Sequence, residues 1–434
     1  MTYPAPFPLA GTRDALRAGQ LKLPAYIQAV CDRIEAAEPE LEALLPEQDR
    51  RGRLLREAEL LRERFPDPAR RPPLYGVLFG VKDLFAVDGF VTHAGSKLPA
   101  ELFGGPEAAC VRALREAGAL VVGMTVSTEF AYFEPGPTRN PHNPAHTPGG
   151  SSSGSAAAVA AGYCQFALGT QTSGSVLRPA AYCGLVGFKP SYGRVETAGM
   201  VFCAPILDTI GYMTQDLAGA QLLAPLLCQN WQPRRPVDTK PVLGVPESAY
   251  LGQASREALQ AFEQQIQRLE QAGYILRRGP ALQDIEAITH RHQRLVCAEM
   301  ARTHADWFGQ YEILYRPRTA AAIHEGQSIS YPEYDLYRAS PQALRDELEG
   351  LMDDHRIDLW VSPSAPGTAP EGIESTGSPA LNLPWTHAGL PALTLPAGRG
   401  TNGLPLGLQC VGRFQRDEDL LAWVSELGQV LRTV

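Results

Sequence analysis

No run of about 18 apolar residues occurs in the 434-residue chain, which excludes an ordinary membrane-spanning helix. There is no Cys-x-x-Cys pair either. The eight cysteines, Cys31, Cys110, Cys164, Cys183, Cys203, Cys228, Cys297 and Cys410, are scattered. That pattern suits reduced thiols packed as small apolar residues in a cytoplasm, and argues against a disulfide framework or a thiolate zinc site. His-Glu-x-x-His is absent, and Pro144 interrupts the one His-x-x-x-His spacing, His142 to His146, so we expect no metal and no cofactor. Basic residues form no stripe. With 39 Lys and Arg against 47 Asp and Glu the net charge is −8, so neither nucleic acid nor membrane is expected as a direct partner. The opening MTYPAPFPLAGTRDALRAG lacks the basic start and apolar stretch of a signal peptide, so a cytoplasmic protein is expected. No internal repeat is found.

What is present is concentrated between Pro148 and Ala180, PGGSSSGSAAAVAAGYCQFALGTQTSGSVLRPA. Turn chemistry up to Ser155 leads into a run of alanines, which reads as a helix starting near Ser153 or Ser155 and capped by a serine hydroxyl. Side chains so small require close backbone approach and so a place in the core; the bland alternative is a flexible Gly/Ser linker. A short apolar strand, Phe166 to Gly169, then feeds Thr170-Gln171-Thr172-Ser173-Gly174-Ser175. Such a break can aim consecutive backbone N–H groups at one point and stabilise an oxyanion, or be an ordinary turn. Upstream, Lys82 lies in an apolar run from Leu74 to Val87. If buried there, its ammonium is disfavoured and it can act as a base near neutrality; at a strand end in water it would be inert.

Together these segments resemble the amidase signature family. The match covers GVKD at Gly80 to Asp83, GGSSSGSAAA from Gly149 and GTQTSGSVLRPAAYCG from Gly169. GFKPS at Gly187, LDTIG at Leu207, SPSAPGTAP at Ser362 and NLPWTHAGLPALTLPAG from Asn382 extend it across nearly the whole chain. The resemblance implies an α/β fold: a single large domain with a long mixed β-sheet core and helices on both faces. It also implies a Ser-Ser-Lys triad of Lys82, Ser151 and Ser175, with Ser175 attacking an amide to form an acyl-enzyme, and a cis peptide at the bridging Ser151. Oxyanion donors would be the N–H groups of Thr172, Ser173, Gly174 and Ser175, and Ser153 would be an accessory partner of Lys82.

Two departures bear on substrate. Gln171 stands where many members have aspartate, and arginine comes one place later than usual, as Arg178. This pattern looks most like the malonamidase subgroup, whose substrates are small amides bearing a carboxylate. Arg178 would then clamp that carboxylate with a fork of hydrogen bonds, or else be a structural arginine paired to an internal carboxylate or carbonyl. The expected partner is a small-molecule amide, and a homodimer is compatible. The alternative is the glutamine-amidase component of a tRNA-dependent amidotransferase, which shares fold and triad but normally keeps the aspartate. A scaffold that has lost catalysis is a third reading, opposed by the filled triad.

Along the chain the expected organisation is an N-terminal helical layer at 1–66, with a solvated charged face at RRGRLLREAELLRERF. A catalytic core at 74–215, a variable roof at 216–350 and a returning core at 351–434 follow. Helix is expected over 110–117, and strands over 119–126, 242–246, 274–277, 361–365, 392–396 and 406–411. His142 and His146 should bond backbone, while His290, His292 or His387 could line the pocket.

Overall fold

The structure, a computed structural model, describes residues 3–233 and 239–432. Ten strands form one mixed sheet. They are β1 (Leu78–Lys82), β2 (Leu120–Thr125), β3 (Phe166–Gln171), β4 (Val186–Lys189), β5 (Thr209–Thr214), β6 (Leu243–Pro246), β7 (Leu276–Gly279), β8 (Leu359–Pro363), β9 (Ala392–Arg399) and β10 (Pro405–Val411). Their order is β2-β1-β3-β5-β4-β9-β10-β8-β6-β7. β2, β1 and β3 run parallel, β3 to β8 through the centre pair antiparallel, and β8, β6 and β7 are parallel again. Helices cover the sheet, as the resemblance implies, and strands β1 to β5 are buried along their whole length. Their near-continuous apolar runs are what a sheet covered on both faces requires.

The two edges are protected differently. At β7 the charged pair Arg277 and Arg278 occupies the strand, which discourages pairing with another chain. At β2, Arg53 reaches from the helix Arg50–Arg64 and donates to the carbonyls of Val121 and Val122 at 3.0 and 3.3 Å. That helix is the solvated layer expected, with only Leu54 and Ala58 buried. The preceding helix, Leu23–Leu41, departs from the expectation of a surface layer: Tyr26, Ile27, Val30, Ile34 and four others are buried in the main core. The expected roof region also supplies β6 and the edge strand β7, the two strands expected there.

The helix Ser153–Ala160 is buried at every residue. Gly154 shows why: a Cβ there would stand 2.1 Å from the Ala43 carbonyl oxygen and 2.3 Å from the Val126 nitrogen. The linker reading is thereby excluded. The serine cap is not formed, however. Ser152 occupies the N-cap, but its hydroxyl turns to the backbone of Thr170, donating to the carbonyl at 3.3 Å and accepting from the N–H at 3.4 Å. All eight cysteines are buried free thiols. Among the described residues, no helix is long and apolar enough to cross a membrane and no cluster of three or more His, Cys, Asp or Glu is arranged to hold a metal.

Candidate active site

Parallel pairing of β1 with β3 brings the lysine and the second loop together. Val81 lies opposite Leu168, so Lys82, the last residue of β1, reaches the end of β3. Its Nζ lies 2.7 Å from Ser151 Oγ and 2.7 Å from Thr170 Oγ1. Lys82 is fully buried, and burial draws it down from 10.5 to about 7, opposed by the nearby Asp208 carboxylate. At neutral pH a large share of the side chain is therefore free amine. A neutral amine has one lone pair, which can accept the Ser151 proton while an amine hydrogen goes to Thr170.

Ser151 follows a cis peptide bond from Gly150. Its carbonyl accepts from Thr128 N–H at 3.2 Å, and Gly154 N–H donates to the Val126 carbonyl at 2.9 Å, which ties the serine loop to the end of β2. Ser153 is not beside Lys82, contrary to the expectation from the resemblance. At the first turn of its helix its hydroxyl folds back to the Gly149 carbonyl at 2.8 Å, and Thr170 holds the second place at the amine.

Ser151, Thr172, Ser173, Ser175 and Arg178 line one cavity of about 90 Å³. The Ser175 hydroxyl has no hydrogen-bond partner among the described residues, and neither have the backbone N–H groups of Thr172, Ser173, Gly174 and Ser175. Four successive free donors beside a cavity are rare in a folded protein, where backbone groups are otherwise paired. The Gln171 departure now has a physical account. Its carbonyl oxygen accepts from Val176 and Leu177 N–H at 2.8 and 2.9 Å, capping the short helix Leu177–Tyr182, while its amide donates to Thr386 at 2.9 Å. An aspartate could do the first and not the second.

Arg178 is buried, and its Nη2 donates to the Gly150 carbonyl at 2.7 Å and to Thr376 Oγ1 at 3.1 Å. Its Nε and Nη1 are buried without a partner, and no carboxylate among the described residues pairs with it. Burial lowers its guanidinium to about 10. The internal pairing is thus half realised: a carbonyl is present, a counter-charge is not.

Three residues of the site are given no role by the sequence, although Thr170 and Asp208 lie within the GTQTSGSVLRPAAYCG and LDTIG segments. Thr170 stands out there only as part of the loop. Asp208 enters because β5 is antiparallel to β3, with Gln171 opposite Thr209; its Oδ1 accepts from Thr172 Oγ1 at 2.6 Å and its Oδ2 from the N–H groups of Cys203 and Ala204. Thr376 comes from a distant loop. Of the histidines, His292 lines the cavity, His387 lies buried behind it and His290 packs against Tyr337 away from it. His142 and His146 bond the carbonyls of Cys183 and Ala369, as expected.

With that geometry in view, residues 25–421 match the family model described as Amidase. The chain belongs to the amidase family. It is an amide-hydrolysing enzyme. Among its relatives, the A-type component of a glutamyl-tRNA(Gln) amidotransferase from Oleidesulfovibrio alaskensis is 32% identical, covering 97% of this chain and 96% of that one. Amidase 1 of Oryza sativa subsp. japonica is also 32% identical, covering 85% and 94%. A crystal structure of an amidase superposes with a TM-score of 0.88 at 32% identity, over 97% of this chain and 99% of that one. These amidase relatives do not single out the malonamidase subgroup.

Proposed function

We propose that the protein hydrolyses a small amide bearing a free carboxylate, with Ser175 as nucleophile and Lys82 and Ser151 as its proton relay. Neutral Lys82 takes the proton of Ser151, which takes that of Ser175 as Ser175 Oγ bonds to the amide carbonyl carbon. The resulting oxyanion is received by the free N–H groups of Thr172 to Ser175, each such donor contributing roughly 3 kcal/mol to barrier lowering. The C–N bond then breaks, the relay returns the proton to the departing nitrogen, and water releases the acid from Ser175.

The observation that carries the substrate class is Arg178. A buried guanidinium with two unpartnered nitrogens and no counter-charge is costly unless a ligand completes it, and a carboxylate is the planar anion its fork fits. The small cavity supports a compact substrate, such as malonamate.

The similarity to the A-type components of tRNA amidotransferases favours a second reading, in which the chain releases ammonia from glutamine within a complex. Ammonia release by the purified chain separates the two. We expect malonamate to be turned over faster than malonamide, Arg178→Ala to harm malonamate far more than the diamide, and Ser175→Ala to abolish both. Equal harm to both substrates would remove the carboxylate clamp. Activity on glutamine that needs added partner proteins would favour the second reading.

A further inference from the structure

Behind the cavity runs a chain of four polar side chains that the triad does not use, two buried histidines between two partly buried serines. Ser173 Oγ lies 2.8 Å from His292 Nε2, His292 Nδ1 lies 3.2 Å from His387 Nδ1, and His387 Nε2 lies 2.8 Å from Ser340 Oγ. We propose that this chain fixes the Ser173 hydroxyl as a hydrogen-bond acceptor toward the cavity, where it receives an N–H of the substrate amide. The proposal deepens the reading above and rests on it for the nucleophile.

The direction follows from one proline. In the helix Tyr331–Asp354 the carbonyl of Tyr337 would accept from the N–H four residues on, but that residue is Pro341, which has none. Ser340 Oγ lies 2.7 Å from that carbonyl and supplies the missing donor. Its single proton is committed there, so toward His387 it can only accept, which places the His387 hydrogen on Nε2. The Nδ1 of His387 is then a lone pair and must receive Nδ1–H from His292. His292 Nε2 is therefore a lone pair in turn, and the Ser173 proton points into the imidazole. Only the oxygen lone pairs of Ser173 are left for the cavity.

Both imidazoles must be neutral for this arrangement, since a protonated ring has no acceptor. Burial supplies that: it holds His292 well below its ordinary range, with His387 adding to the effect, and holds His387 at about 3. The same burial makes His292 a poor base, because it cannot hold a serine proton as imidazolium. Ser173 is thereby a binding residue and not a second nucleophile, while His292, His387 and Ser340 are positioning residues. An acceptor at this place favours a substrate with N–H beside the carbonyl over an ester, whose oxygen would meet lone pair with lone pair.

Two measurements test this. The first compares kcat/KM for matched amide and ester pairs, malonamate with monomethyl malonate and propionamide with methyl propionate. Ser173→Ala should lower the amide-to-ester ratio about tenfold in both pairs, the worth of one hydrogen bond, and Ser340→Ala should lower it by a smaller factor. An unchanged ratio overturns the proposal. Loss of the malonamate preference over propionamide in wild type would instead defeat the Arg178 reading and leave the ratio test standing. The second needs no turnover: long-range nitrogen–proton correlation spectra of histidine-labelled protein, assigned with His292→Gln and His387→Gln. His292 should carry its hydrogen on Nδ1 and His387 on Nε2, and the reverse tautomers would overturn the proposal.

Discussion

Lys82 closes β1 and Lys189 closes β4; each is fully buried, each sits near a carboxylate, Asp208 or Asp417, and burial draws each from 10.5 to about 7. Their difference lies in what the nitrogen touches. Lys82 meets two hydroxyls, one of them on Ser151, which lines the same cavity as the proposed nucleophile Ser175. Lys189 donates to the Pro190 carbonyl at 2.8 Å, a group with no proton to give. A lowered lysine is thus necessary for base catalysis and does not identify it. On the proposed reading, the reach of its lone pair to a transferable proton is what separates the two lysines.

The largest effect expected from that contrast is on turnover. Lys82→Met should lower kcat/KM on the best amide by about a thousandfold or more while the chain stays folded, since a methionine replaces a buried amine of similar length. Lys189→Met should keep kcat/KM within about threefold. Steady-state ammonia release with a circular dichroism check on each variant decides it, and a large loss at Lys189 would erase the distinction.

A smaller effect is expected at Thr170. Thr170→Val removes the hydroxyl that orients the Lys82 amine while keeping the shape of the side chain, and should lower kcat about tenfold with little change in KM, as one buried hydrogen bond is worth. An unchanged kcat would mean that Ser151 alone orients the amine.

The pH profile sharpens the comparison further. The rate should rise through pH about 7 as Lys82 loses its proton, and this limb should persist in Lys189→Met. A limb that moved with Lys189 would reassign the base.

Stability gives the mildest test. In the folded chain each lysine gives up its proton near pH 7, whereas the unfolded chain keeps it until about 10.5. Between those values the unfolded state binds more protons, so these groups make stability rise with pH. Lys189→Met should therefore gain less urea resistance than wild type between about pH 7.5 and about pH 9.5, inside that window. An equal gain would show that Lys189 keeps its ordinary affinity for protons.

The two lysines also show how far sequence carries. Both end apolar runs, LFGVK and VGFK, and only the role that the family resemblance implies for the lysine of GVKD separates them. Lys82, Ser151 and Ser175 are legible because short motifs mark them, and the strands because a sheet covered on both faces needs near-continuous apolar runs. Thr170, Asp208 and Thr376 are not, because their places depend on the register of β1, β3 and β5 and on a loop far along the chain from Arg178. The buried role of the helix Leu23–Leu41 is hidden by the charged helix after it. The polarity of Ser173 is equally invisible, since it depends on Pro341 in a helix far along the chain.

The most direct test of the central claim is covalent. Wild type treated with a fluorophosphonate should gain one adduct per chain, mapped by peptide mass spectrometry to Ser175. Its rate should climb through pH about 7, and Lys82→Met should nearly abolish it. An adduct on Ser173, or undiminished labelling of Ser175 in Lys82→Met, would contradict the account.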